Sequence, residues 1–105
     1  MKSARTKACD ITKKVKDIVW ERDGERCIRC GTHYAMPNAH YIPRSKGGLG
    51  IEQNIVTLCL QCHYEYDETF KRNEIGEYIE RYLKRKYPDW DKEKLIYRRK
   101  QYEFN

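Results

Sequence analysis

The chain is poor in the residues that build a large core. Only two phenylalanines, two methionines and three prolines occur in 105 residues, and no apolar run approaches membrane-spanning length. The first residues, M-K-S-A-R-T-K-A-C-D, lack the apolar stretch of an export signal. The expectation is a protein that stays in a reducing cytoplasm and has no membrane partner. There is no internal repeat beyond two cysteine pairs, no low-complexity segment and no evident linker, so residues 1–105 read as one domain. Nine tyrosines and two tryptophans supply much of the apolar surface, with rings that also carry a polar group. A domain this short buries a smaller fraction of its surface than a larger one, and a metal staple would help it fold.

Charge is abundant and unevenly placed. The net charge is +6, yet residues 31–70 hold only Arg44 and Lys46 against Glu52, Glu65, Asp67 and Glu68. Residues 1–30 carry nine Lys and Arg against five acids, and residues 71–105 carry eleven against seven. Basic flanks around a slightly acidic centre suit a polyanion held at the edges and a cation held in the middle. Arg22, Arg26 and Arg29 are candidates either for phosphate contact or for plain solvation.

Four of the five cysteines form two C-x-x-C pairs, Cys27 with Cys30 and Cys59 with Cys62; Cys9 stands apart and is read as a free thiol. Two pairs of identical spacing satisfy a tetrahedral zinc site, and Gly31 relieves the backbone behind the first. The competing redox reading of C-x-x-C needs a thioredoxin-like context that this chain lacks.

Apolar spacing predicts a helix over Ile11–Arg22, capped by Asp10 or Thr12 and ended at Asp23-Gly24. Residues 37–43 read as a strand stopped by Pro43, 47–50 as a glycine-rich loop, 54–58 as a second strand, and the stretch after Cys59 as a helix to about Lys71. Gly47, Gly48 and Gly50 are not read as a phosphate cradle, because no helix starts behind them and no Walker-type lysine is present. A further helix over Glu74–Tyr87 ends at Pro88, and a last short one is expected to carry Trp90, Leu95, Ile96 and Tyr97, with Arg98, Arg99 and Lys100 behind.

The order strand, loop, strand, helix brings four side chains into question. His40 is the candidate general base, since imidazole titrates near neutrality. His63 opens the helix anchored by Cys62, and Asp67 lies four residues on, so both project from one face as ligands to a shared divalent ion require. Asn54 is placed to fix the loop near His40 by hydrogen bonds to backbone. Each also has an ordinary structural reading: a buried histidine, an asparagine in a turn, an aspartate on a solvated helix.

The motifs A-H-Y-I-P-R-S-K-G-G, N-I-V-T-L-C and C-H, framed by the cysteine pairs from Cys27 to Asp67, resemble the zinc-bearing branch of the HNH endonucleases. That resemblance implies an α+β, ββα-metal (His-Me finger) core over about 27–71, stapled by Cys27, Cys30, Cys59 and Cys62 around a structural Zn²⁺, with basic helical flanks at 1–26 and 72–105. It makes His40, Asn54 and His63 the name-giving residues. It implies a catalytic divalent cation such as Mg²⁺, Mn²⁺ or Ni²⁺ and hydrolysis of duplex DNA to 5′-phosphate and 3′-hydroxyl ends. Arg44 and Lys46 would grip the DNA backbone with little base readout.

The tail Y-L-K-R-K-Y-P-D-W is similar to small HNH proteins of phages and prophages of Gram-positive bacteria. It implies genome packaging beside terminase and portal proteins in the bacterial host cytoplasm, with homing and restriction also known in the family. One position departs from the pattern: Ala39 stands where many members carry an Asp or His ligand, so Asp67 is the expected substitute, with Asn38 and His33 behind it. A zinc-ribbon nucleic-acid-binding module without catalysis is the alternative that Ala39 keeps open.

Overall fold

A computed structural model describes residues 2–98. Two short helices come first, α1 (Ala4–Cys9) and α2 (Lys13–Arg22). Ser3 caps α1 by accepting from Thr6 N, and Thr12, rather than Asp10, caps α2 by accepting from Val15 N. α1 is an element the apolar spacing does not announce, because only Cys9 of its six residues is buried.

The centre is a two-stranded antiparallel sheet of β1 (Ala35–His40) and β2 (Ile55–Cys59), followed at once by α3 (Leu60–Glu68). This small α+β arrangement with a four-cysteine cluster agrees with a ββα-metal fold. β1 carries one extra residue between the Met36–Leu58 and Ala39–Val56 pairs. Pro37, which has no N–H to give to a ladder, lies in that bulge. Since side chains alternate with period two, the bulge turns Ala39 onto the face of Val56 and Leu58 and moves His40 off it.

α3 stops at Glu68, earlier than expected: Thr69 is extended and its hydroxyl donates to Glu65 O at 2.6 Å. α4 (Arg72–Lys86) then lays Ile75, Ile79 and Leu83 into the core with Val56, Leu58 and Tyr66. The expected last helix is a correction. Only a single 3₁₀ turn forms at Lys92–Leu95, because Ile96 bridges Gly48 and Tyr97 N donates to Gly47 O at 2.7 Å. The backbone there is used as an edge against the glycine loop, and a helix would withdraw it. Arg99 and Lys100 lie outside the described residues.

Arg22 is neither a phosphate contact nor solvated. Its side chain is 10% exposed and forks onto Asp23, with Nε to Oδ1 at 2.7 Å and Nη2 to Oδ2 at 3.1 Å. It also donates to the carbonyls of Glu52 and Ile55, each at 2.7 Å, and to Tyr87 Oη. Asp23 accepts further from Tyr82 Oη at 2.6 Å and Thr57 N at 2.8 Å. Arg29 pairs with Glu65, leaving Arg26 as the exposed member of the trio.

Removing one partner of a buried ion pair strands the other charge, at a cost of about 3–5 kcal/mol. Asp23→Ala is therefore expected to lower the urea midpoint of the metal-loaded protein by a large step, while exposed Arg26→Ala leaves it unchanged. Chemical denaturation followed by circular dichroism measures both.

Candidate functional site

The four-cysteine cluster is built from two turns. Gly31 adopts φ +84° and its N–H donates to Cys27 O, which closes the first knuckle. Cys59 ends β2 and caps α3, its Sγ accepting from Cys62 N at 3.3 Å, just as Cys27 Sγ accepts from Cys30 N at 3.5 Å. All four Sγ atoms lie within 4.8 Å of one another, and Cys30 and Cys59 approach to 3.6 Å. Bonds of about 2.3 Å in a tetrahedron put sulfurs about 3.8 Å apart, so the set fits structural zinc.

The contact between Cys30 and Cys59 is far longer than a disulfide bond, which is about 2.05 Å. Burial opposes ionisation of Cys27, but the N–H groups of Cys30, Cys59 and Arg29 outweigh it and draw that thiol down to about 7. Burial pushes Cys62 up to about 12. Four thiolates cannot share that volume without a cation to balance them, and the donor set is one that zinc takes.

Beside this cluster lies a groove of about 500 Å³ between the end of β1, the loop after it and α3. His40, His63, Asp67, Arg44 and Lys46 all line it. His63 Nε2 and Asp67 Oδ2 are 3.1 Å apart, one turn apart on α3. Asn38 also reaches the groove, while His33 does not: it hydrogen-bonds Glu25 O at 2.8 Å outside it. Ala39 is wholly buried in the core, so that position brings no donor. Among the described residues the cysteines form the only close group of three or more His, Cys, Asp or Glu donors. An ion on His63 and Asp67 would have two protein ligands and keep several waters, a habit of Mg²⁺.

His40 Nε2 donates to Cys9 O at 2.9 Å. Burial lowers its pKa below the ordinary 6.5, and the Arg44 guanidinium adds to that effect against the Cys9 carbonyl. The ring is therefore neutral, and able to accept a proton, at pH 7. Asn54 is fully buried and uses its whole amide on the loop: Oδ1 accepts from Ile42 N at 2.8 Å, and Nδ2 donates to Leu49 O at 2.8 Å and Ile42 O at 3.2 Å. Gly48 lets that loop close, since a Cβ there would lie 1.6 Å from Ile42 O.

Arg44 lines the groove but is engaged within the protein, donating to Cys9 O and Asp10 Oδ1, each at 2.8 Å. Sequence reading missed three contributors to this site. They are the Cys9 carbonyl, which carries no side-chain signal, and Glu68 and Arg72, which line the groove from the two sides of the break after α3.

Residues 27–68 match the protein-family model described as HNH endonuclease. The chain is also 36% identical over 55 residues to "Anaredoxin" of Nostoc sp., an alignment that covers 51% of this chain and 67% of that protein.

Modifying the thiols is expected to release one zinc per chain, read with a metallochromic dye, and chelation should collapse α3 and with it the far-ultraviolet circular dichroism. A protein that holds no zinc and titrates as two disulfides would refute the zinc assignment.

Proposed function

Because the chain belongs to the HNH endonuclease family through residues 27–68, we propose that it is a metal-dependent endonuclease that hydrolyses duplex DNA with little regard for sequence. The observation that carries this reading is the groove in which His40 shares one lining with the His63–Asp67 pair. His40, neutral at pH 7, takes the proton of the attacking water. The bond from phosphorus to the 3′ oxygen breaks, and the phosphate stays on the 5′ end. A divalent ion, when held by His63 and Asp67, supplies charge neutralisation at the scissile phosphate and the leaving oxygen. Asn54 keeps the loop closed, and exposed Lys46, with the basic flanks, meets the DNA backbone.

The likeness of the tail to small phage and prophage proteins supports a role in genome packaging with terminase and portal, in the cytoplasm of a bacterial host. A second reading, a zinc-bearing module that binds nucleic acid without cutting it, is favoured by buried Ala39 and the two-donor ion site.

Supercoiled plasmid incubated with Mg²⁺, Mn²⁺ or Ni²⁺ separates the two. Nicking that needs the ion and falls about 10²- to 10⁴-fold in His40→Ala supports the enzyme; shifted but uncut DNA supports the binding module. Asp67→Ala is expected to weaken divalent-ion affinity while zinc content stays unchanged, and unchanged affinity removes Asp67 from the site. The lowered pKa of His40 fixes the sign of the pH dependence. kcat/KM should be level at pH 7 and fall only as pH drops through a value below 6.5. An acid limb centred above 6.5 would exclude His40 as the base.

A further inference from the structure

α1 lies outside the family match, yet it reaches the base. It ends at Cys9, and the last carbonyls of a helix have no partner within it. The Cys9 carbonyl accepts twice, from His40 Nε2 at 2.9 Å and from Arg44 Nη1 at 2.8 Å. A carbonyl only accepts. The neutral His40 ring therefore carries its proton on Nε2 and its lone pair on Nδ1.

Three further ties hold α1 against the loop. Arg5 Nη2 donates to the carbonyls of Arg44 at 3.2 Å and Ser45 at 3.1 Å. Arg44 Nη2 meets Asp10 Oδ1 at 2.8 Å, and Gly50 N donates to Ala8 O at 3.0 Å. Gly50 is required for this approach: a Cβ there would lie 2.0 Å from Asp10 O and 3.0 Å from Cys9 O.

We propose that α1 is a positioning element of the nuclease site. Its terminal carbonyl, at Cys9, holds the His40 ring so that Nδ1 is the nitrogen left to act as base, and Arg44 serves that carbonyl before it serves DNA. This rests on His40 being the base. If capping of α1 were the whole purpose of these bonds, disturbing them would change stability and leave the chemical step alone. If they aim the base, a displacement of about 1 Å is enough to cost on the order of 10²-fold in rate.

The test uses the full-length, zinc-loaded protein. Gly50→Ala pushes the Cys9–Asp10 backbone away from His40 while every side chain of the groove keeps its chemical identity. The double variant Arg5→Ala, Asp10→Ala removes surface ties only, and decides the matter should Gly50→Ala fail to fold. The expected result is a fall of about 10- to 100-fold in single-turnover nicking by Gly50→Ala, a smaller fall in the double variant, and no loss of DNA affinity in either. In ¹⁵N spectra at neutral pH, the wild-type protein should display a protected His40 Nε2–H that both variants weaken or lose.

Full nicking rates in the variants, or a wild-type ring proton on Nδ1, would overturn the proposal. Absence of nicking by the wild type would instead defeat the nuclease reading and the catalytic half of this one. The ring proton would still report whether α1 holds His40.

Discussion

Four sulfurs drawn to one point decide where almost everything else in this molecule sits. The cluster joins the knuckle at 27–31 to the junction of β2 and α3, and it does so with a cysteine that is also the cap of α3. His63 follows Cys62 directly, so the first turn of α3 is tied to the sulfur cluster. One helical turn later comes Asp67, and that rise brings its carboxylate to 3.1 Å from His63 Nε2 in the groove. A two-stranded sheet is marginal by itself. Here it is held at one end by the sulfurs and at the other by Asn54, whose amide bridges Ile42 and Leu49 across the intervening loop.

The rest of the scaffold follows from the scarcity of large apolar side chains. Tyrosines take their place, and a buried tyrosine needs a partner for its hydroxyl. Tyr66 donates to Tyr41 O at 2.6 Å, Tyr78 to Ile28 O at 2.7 Å, and Tyr82 to Asp23 at 2.6 Å. Arg22 and Asp23 sit among these rings as a fully hydrogen-bonded ion pair. Such a pair contributes little net stability over an apolar substitute, because desolvating both charges costs several kcal/mol. What it does here is directional: one guanidinium ties the end of α2 to the backbone at both Glu52 and Ile55, and so fixes how β2 lies.

Much of this was legible in the sequence where side-chain chemistry or apolar period carried it. The paired cysteines, the strands around the glycine loop and the apolar face of α4 all announce themselves that way. Backbone-driven features did not. The carbonyl of Cys9 has no residue-type signature, and α1 buries one side chain, too few for a period to show. The tail from Lys92 to Tyr97 has helical spacing, but its backbone is claimed by Gly47 and Gly48, a tertiary demand that local propensity does not record. Arg22 misleads for a similar reason: a lone basic residue at a helix end reads as surface until its acceptors, gathered from Glu52 and Ile55, are known.

The bulge in β1 connects the departure at Ala39 to the rest of the site. In an unbulged ladder continuing from the Met36–Leu58 pair, Asn38 would oppose Val56, and His40 would share their face of the sheet. The extra residue puts Ala39 there instead, and its methyl group is fully buried. His40, released from that face, reaches the Cys9 carbonyl with one nitrogen while its ring borders the groove. Alanine at 39 thus suits packing and brings no donor to the groove, where the His63 imidazole and the Asp67 carboxylate lie a turn apart on α3. A site with two protein donors binds an ion more loosely than one with three. It leaves more coordination positions to water.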